Sequence, residues 1–122
     1  MNPEMKEYIR YRLSRAQTTL QLAKLALDND FLYDAVNRTY YACFFAVSAL
    51  LLTENHSSSK HKGLQSLFMR LWIHTGRLPV TMGRFFHRIY EHRQRSDYAD
   101  LVTFERIDVS SWYTEADSFV AR

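Results

Sequence analysis

Residues 31–52, FLYDAVNRTYYACFFAVSALLL, decide the fold of this 122-residue chain. Val36, Tyr40, Phe44, Val47 and Leu51 recur at three- and four-residue steps and make one apolar stripe. Tyr41, Phe45, Ala49 and Leu52 make a second beside it. Small residues (Ala35, Ala42, Ala46, Ala49) are interleaved. A helix apolar on most of its circumference must be packed by several neighbours, so this stretch predicts the central helix of an all-α fold.

The flanking segments supply the neighbours. Upstream, Pro3 suits a first helical turn with Asn2 as its cap. Tyr8, Tyr11, Leu13, Ala16, Leu20, Ala23 and Leu27 then recur at helical spacing to Asp28-Asn29-Asp30, where Asp30 is the expected N-cap of the central helix. Downstream, residues 53–56 stop the helix and Ser57-Ser58-Ser59 form a loop, one serine of which is expected to cap a third helix over about 60–74. That helix carries Leu64, Leu67, Phe68 and Leu71, and Gly76 is placed to close it. Leu78-Pro79 leads into a fourth helix, 80–95, with Met82, Phe85, Phe86, Ile89 and Tyr90 apolar. Residues 96–106 read as a loop. A last helix is expected from Val109, capped by Asp108, carrying Trp112, Tyr113, Ala116, Phe119 and Val120. No strand alternation, repeat or linker interrupts this pattern. The expectation is one domain over 1–122, an all-α up-and-down bundle of four or five helices.

Composition narrows the function. A 47% hydrophobic content excludes intrinsic disorder. The single cysteine, Cys43, excludes a disulfide framework and a multi-cysteine zinc site, reads as a small core residue and suits the reducing cytoplasm. No wholly apolar run reaches the roughly 18 residues of a membrane span, and the opening MNPEMKEYIRYR is too charged for a secretory signal. The expectation is therefore a cytoplasmic protein without a membrane partner. Gly63, Gly76 and Gly83 form neither GxGxxG nor a P-loop, so no cofactor is implied. The five histidines (56, 61, 74, 87, 92) contain no HxxxH pair, which argues against a metal site.

Charge is uneven. Residues 70–95 hold six arginines (70, 77, 84, 88, 93, 95) against Glu91 alone, whereas residues 96–122 hold six acids against Arg106 and Arg122. Such a block is either an anion or nucleic-acid footprint, or one of two complementary faces packed together. Arg84, Arg88 and His92 lie on one stripe of the fourth helix, with Arg95 near it. That ridge offers phosphate donors and, in His92, an acid or base, unless it is a solvated basic face. Asp34 and Arg38, four apart on the central helix, either pair and support packing or place Arg38 in a cleft to meet phosphate. His61 and Lys62 open the third helix, where cations oppose the macrodipole and point to an anion nearby. Asp97 can anchor an arginine, and Tyr98 can pack its ring with its hydroxyl wet.

Four segments together resemble the HEPN domain family, a helical domain of prokaryotes and higher eukaryotes linked to nucleotide and RNA biology. They are SRAQTTLQLAKLAL (14–27), DAVNRTYYACFFAVSALL (34–51), HKGLQSLF (61–68) and RQRSDYAD (93–100), with DAxxRxYYAxF as the signature of the second. The resemblance covers the chain to about residue 120. It implies a five-helix bundle that pairs into a homodimer, accompanies a minimal nucleotidyltransferase and acts in a toxin–antitoxin pair. The nuclease branch of the family carries an Arg and a His separated by four to six residues. Here Arg70 to His74 and Arg88 to His92 leave three residues, and Arg84 to His92 leaves seven, so the motif is absent in its usual form. The resemblance therefore implies a binding module for nucleotide, RNA or the partner protein rather than an enzyme. Its ligand residues would be Arg38, His61, Lys62, Arg84, Arg88, Arg93, Arg95, Asp97 and Tyr98. The alternative is a metal-independent RNase toxin with a degenerate motif, in which His92 and Arg88 would act.

Overall fold

The computed structural model describes residues 3–97 and 103–121. Five α-helices account for most of them: α1 (Pro3–Asp28), α2 (Leu32–Leu52), α3 (His61–Phe68), α4 (Val80–Ser96) and α5 (Arg106–Ala121). There is no strand among the described residues. The architecture is the all-α bundle that the apolar stripes predict. The caps assigned to Asn2 and the ligand role assigned to Tyr98 fall outside the described residues.

Helix α2 is the hub, packed by α1, α4 and α5 and touched by α3. Tyr40, Val47 and Leu51 are buried, with Leu64, Phe68, Phe86, Ile89 and Phe119 closing the main core around them, and Val36 is buried in a second cluster with Leu27, Phe104 and Val109. Phe44 departs from its stripe and is only half-buried. Helix α2 is also long and apolar enough to cross a membrane, contrary to the expectation from uninterrupted apolar runs, but over half of its most apolar window is buried inside the bundle. Cys43 is fully buried, which pushes its thiol pKa up. Only the second half of the α1 stripe is core: Ala16, Leu20, Ala23 and Leu27 are buried, whereas Tyr8, Tyr11 and Leu13 are exposed.

The connections correct several cap assignments. Asp30 does not cap α2. It adopts φ +60° at the end of α1, where Phe31 N–H donates to Ala26 O (2.8 Å) and Asp30 N–H to Leu27 O (3.1 Å), the double bond of a Schellman closure. Its carboxylate instead accepts Arg106 Nη1 at 2.7 Å, tying the start of α5 to the α1–α2 turn. Asn55 (φ +61°) closes α2 in the same way, with His56 N–H to Leu51 O at 3.0 Å. No serine caps α3. Lys60 occupies that position, and Ser58 Oγ accepts the Lys60 N–H (3.2 Å) in a local turn instead. The third helix runs on through a π-helical turn, Met69–Ile73, before Gly76 (φ +80°) ends it as expected. Helix α4 crosses that turn so closely that a Cβ at Gly83 would lie 2.8 Å from Met69 Sδ. Helix α5 starts at Arg106 rather than Val109, so Asp108 sits within its first turn, where its charge favours the helix dipole, and does not cap it.

Candidate functional site

Two tyrosines side by side on an apolar helix carry two hydroxyls that need partners. Tyr40 faces the core and Tyr41 its edge, and both turn toward the start of α3. His61, the first residue of α3, fills the space. Its ring centroid lies 5.6 Å from Tyr40, 5.8 Å from Tyr41, 5.0 Å from Phe44 and 6.2 Å from Tyr90 of α4. Tyr40 Oη and His61 Nδ1 are 2.7 Å apart.

The hydroxyl is held protonated, because burial first and the neighbouring Tyr41 second raise its pKa. The imidazole is held below its ordinary range by desolvation and then by the Arg93 charge. Both groups are uncharged, and which of them donates follows the tautomer of the imidazole.

Arg93 completes this end of α4. Its Nη2 donates to Tyr41 Oη at 3.3 Å, its guanidinium lies 5.5 Å from the Tyr41 ring centroid, and Asp97 is 4.0 Å away. Its Nε is shielded from solvent and meets no acceptor among the described residues. Gln94 Nε2 fixes the Tyr90 hydroxyl at 2.9 Å. Tyr90 also borders a groove of about 570 Å³ between α3 and α4, into which Lys62, Gln65, Arg70 and His87 project. The assembly is an arginine with unspent donors, a neutral histidine and a wall of rings, opening on a groove with two cations. Such a set can take a phosphate and stack a base.

The opposite side of α4 is built differently. His92 stacks on Trp112 of α5, with centroids 3.8 Å apart and planes inclined by 14°. Its Nδ1 is 3.3 Å from Arg95 Nη1, and Arg95 in turn lies over Phe104 at 5.7 Å. Burial, Arg95 and Arg88 depress the His92 pKa in that order. Arg88 pairs with Glu115 of α5 at 3.3 Å, so part of the acidic last segment does answer the basic helix within one chain. Arg84 is exposed beside it.

The structure therefore divides the expected ligand residues. His61, Arg93 and Asp97 come together, with Lys62 in the adjoining groove. Arg84, Arg88, His92 and Arg95 lie on the other face. Arg38 joins neither group: it and Asp34 are both exposed, and no ion pair links them. The full turn that one i, i+4 step makes leaves both on the solvent side of α2, so the enclosure expected of them does not occur. Tyr40, Tyr41 and Tyr90 were not among the expected site residues. Their signal was the YY pair within DAxxRxYYAxF, two hydroxyls where packing alone needs none.

The HEPN domain family model matches residues 9–122. This chain belongs to the HEPN family. A UPF0332 protein of Thermotoga maritima is 44% identical over 96% of this chain and 89% of its own length. Another, from Gloeobacter violaceus, is 33% identical over 97% of this chain and 79% of its own. A protein of Methanocaldococcus jannaschii named "Putative toxin MJ0605" is 34% identical over all of this HEPN domain and 90% of itself. In this HEPN domain the family segments YYACF and HKGLQSLF meet at the His61 cage.

Proposed function

We propose that this HEPN domain is a toxin-like module that binds single-stranded RNA, or the nucleotide unit of it, at the His61 cage. The observation that carries the reading is the Tyr40–His61 bond beside Arg93. It locks an uncharged histidine next to a guanidinium whose outer nitrogens are only loosely engaged, Nη2 by Tyr41 at 3.3 Å and Nη1 by Asp97 at 4.0 Å, a preorganised donor site for a phosphate oxygen. The half-buried ring of Phe44 and the cations Lys62 and Arg70 supply stacking and backbone charge around it. The relative named as a putative toxin supports a place for this module in a toxin–antitoxin pair, and the family resemblance adds a homodimer with a minimal nucleotidyltransferase as its partner to this reading. The test is titration of fluorescent single-stranded RNA into the purified domain. Binding that falls with salt and is lost in Arg93→Ala, with helicity intact, is the expected result. Wild-type protein that binds neither RNA nor nucleotide would refute the reading.

A cleaving version of the same reading has one observation in its favour. His61 and His92 each lie beside an arginine, and burial lowers the pKa of each, which favours the uncharged imidazole that a general base requires. Incubation of RNA with wild type, His61→Ala and His92→Ala separates the versions: cleavage that depends on either histidine makes the domain an RNase, and intact RNA throughout leaves it a binding module.

A further inference from the structure

The exposed first half of α1 is not a loose apolar stripe. Arg12 Nη2 donates to the Tyr8 hydroxyl at 2.7 Å and Arg15 Nη1 to the Tyr11 hydroxyl at 3.1 Å. Both guanidinium groups also lean on one ring of α2, Phe45, at 5.8 Å for Arg12 and 4.7 Å for Arg15. Tyr8 is 43% and Tyr11 53% exposed, so the rings are open on their outer sides. Each arginine spends one N–H on a tyrosine, and Arg12 Nε, like Arg93 Nε, meets no acceptor among the described residues. The remaining donors stand fixed in place by cation–π contact, already ordered before anything binds.

This patch is continuous with the His61 cage. Phe45 lies 6.2 Å from the Tyr41 ring, and Tyr41 receives Arg93 and faces His61 at 5.8 Å. Rings and guanidinium groups therefore alternate from α1 to α4 along one side of the bundle. An RNA strand alternates bases and phosphates in the same manner.

We propose that Tyr8, Tyr11, Arg12 and Arg15, with Phe45 beneath them, form a second RNA subsite that extends the His61 site along α1. The subsite rests on the RNA reading of His61. It holds the phosphates of neighbouring nucleotides on Arg12 and Arg15 and stacks bases on the two tyrosines. Charge favours an anionic strand over a second copy of the chain, since a two-fold contact centred here would bring arginines against their own copies.

The test is fluorescence anisotropy with single-stranded RNAs of about 4 and about 12 nucleotides, within the range of single-strand site sizes. Wild type is compared with Arg12→Ala/Arg15→Ala and with Arg93→Ala, and melting and circular dichroism confirm the fold of each. The double variant should bind the longer RNA about tenfold or more weakly, with its log–log salt slope reduced by about 1.4 for two lost phosphates, while keeping its affinity for the shorter one. Three results overturn the subsite. In the first, the double variant binds the longer RNA as wild type does while Arg93→Ala fails, which leaves the His61 site standing. In the second, light scattering shows that the double variant turns a dimer into a monomer with RNA binding unchanged, which makes α1 an interface between copies. In the third, wild type binds neither RNA, which removes the His61 reading as well.

Discussion

Each face of α4 sets an arginine beside a histidine, its own His92 on one side and His61 of α3 on the other, yet the two are built to opposite ends. On the α2 side His61 bonds Tyr40 through Nδ1 at 2.7 Å, with Arg93 held beside it on Tyr41. On the α5 side His92 lies flat on Trp112, and Arg88, its nominal partner, is spent on Glu115. Both imidazoles are depressed by burial and by a guanidinium, so electrostatics alone does not tell the two apart. What separates them is the unspent hydrogen-bonding capacity each leaves at the surface.

Stability should show the contrast most strongly. Tyr40 is 1% exposed and stacks on Phe86, so Tyr40→Ala should cost about 3–5 kcal/mol. The half-buried Trp112 on the other face should cost about 1–3 kcal/mol as Trp112→Ala. Urea denaturation of both variants checks the order, and a larger loss at Trp112 would make the His92 face the structural centre.

Tyr40→Phe isolates the hydroxyl. It keeps the ring and removes the bond to His61, for a loss of about 1 kcal/mol. RNA affinity should fall with it, because the imidazole is no longer held. Unchanged affinity in a folded Tyr40→Phe would show that the locked ring plays no part in binding.

Acid should destabilise both faces. A histidine whose folded pKa lies below its unfolded value of about 6.5 binds its proton more readily in the unfolded chain. The stability it contributes is present in full above about pH 6.5 and is lost as pH falls through the folded value. The fold should therefore be less stable at pH 5 than at pH 7.5. The drop should shrink in His61→Gln and in His92→Gln, and shrink further in the double variant. A drop of the same size in the double variant would assign it to other groups.

The smallest effect belongs to Arg88. Both members of its pair with Glu115 are about half exposed, so Arg88→Ala should shift stability by no more than about 0.5 kcal/mol. A loss of several kcal/mol would make the pair a structural strut.

Much of the fold was legible because helical periodicity is local. The α2 stripe, the Gly76 stop and the α4 core face all follow from spacings within a few residues. The misreadings are of two kinds. Asp30 is of a residue type that suits both an N-cap and a left-handed C′ position, and apolar spacing alone does not choose between them. The π turn at Met69–Ile73 depends on the crossing of α4 over Gly83, a tertiary contact. The site divided in the same way. The arginine and histidine stripe of α4 was visible, but its partners were not, and the stripe pointed to the face that is already paired. In the sequence His61 reads as a cation misplaced at a helix N-terminus and, through the resemblance, as one of nine ligand residues. Its uncharged state removes that conflict and could be inferred only once Tyr40, Phe44 and Tyr90 were around it.

The most direct test sets one arginine from each face of α4 against the other, measuring single-stranded RNA affinity at low salt for Arg93→Ala and Arg88→Ala. Arg93→Ala should bind about tenfold or more weakly, while Arg88→Ala should stay within about twofold of wild type. Loss of binding in Arg88→Ala with Arg93→Ala unaffected would place the functional surface on the His92 face and contradict the account.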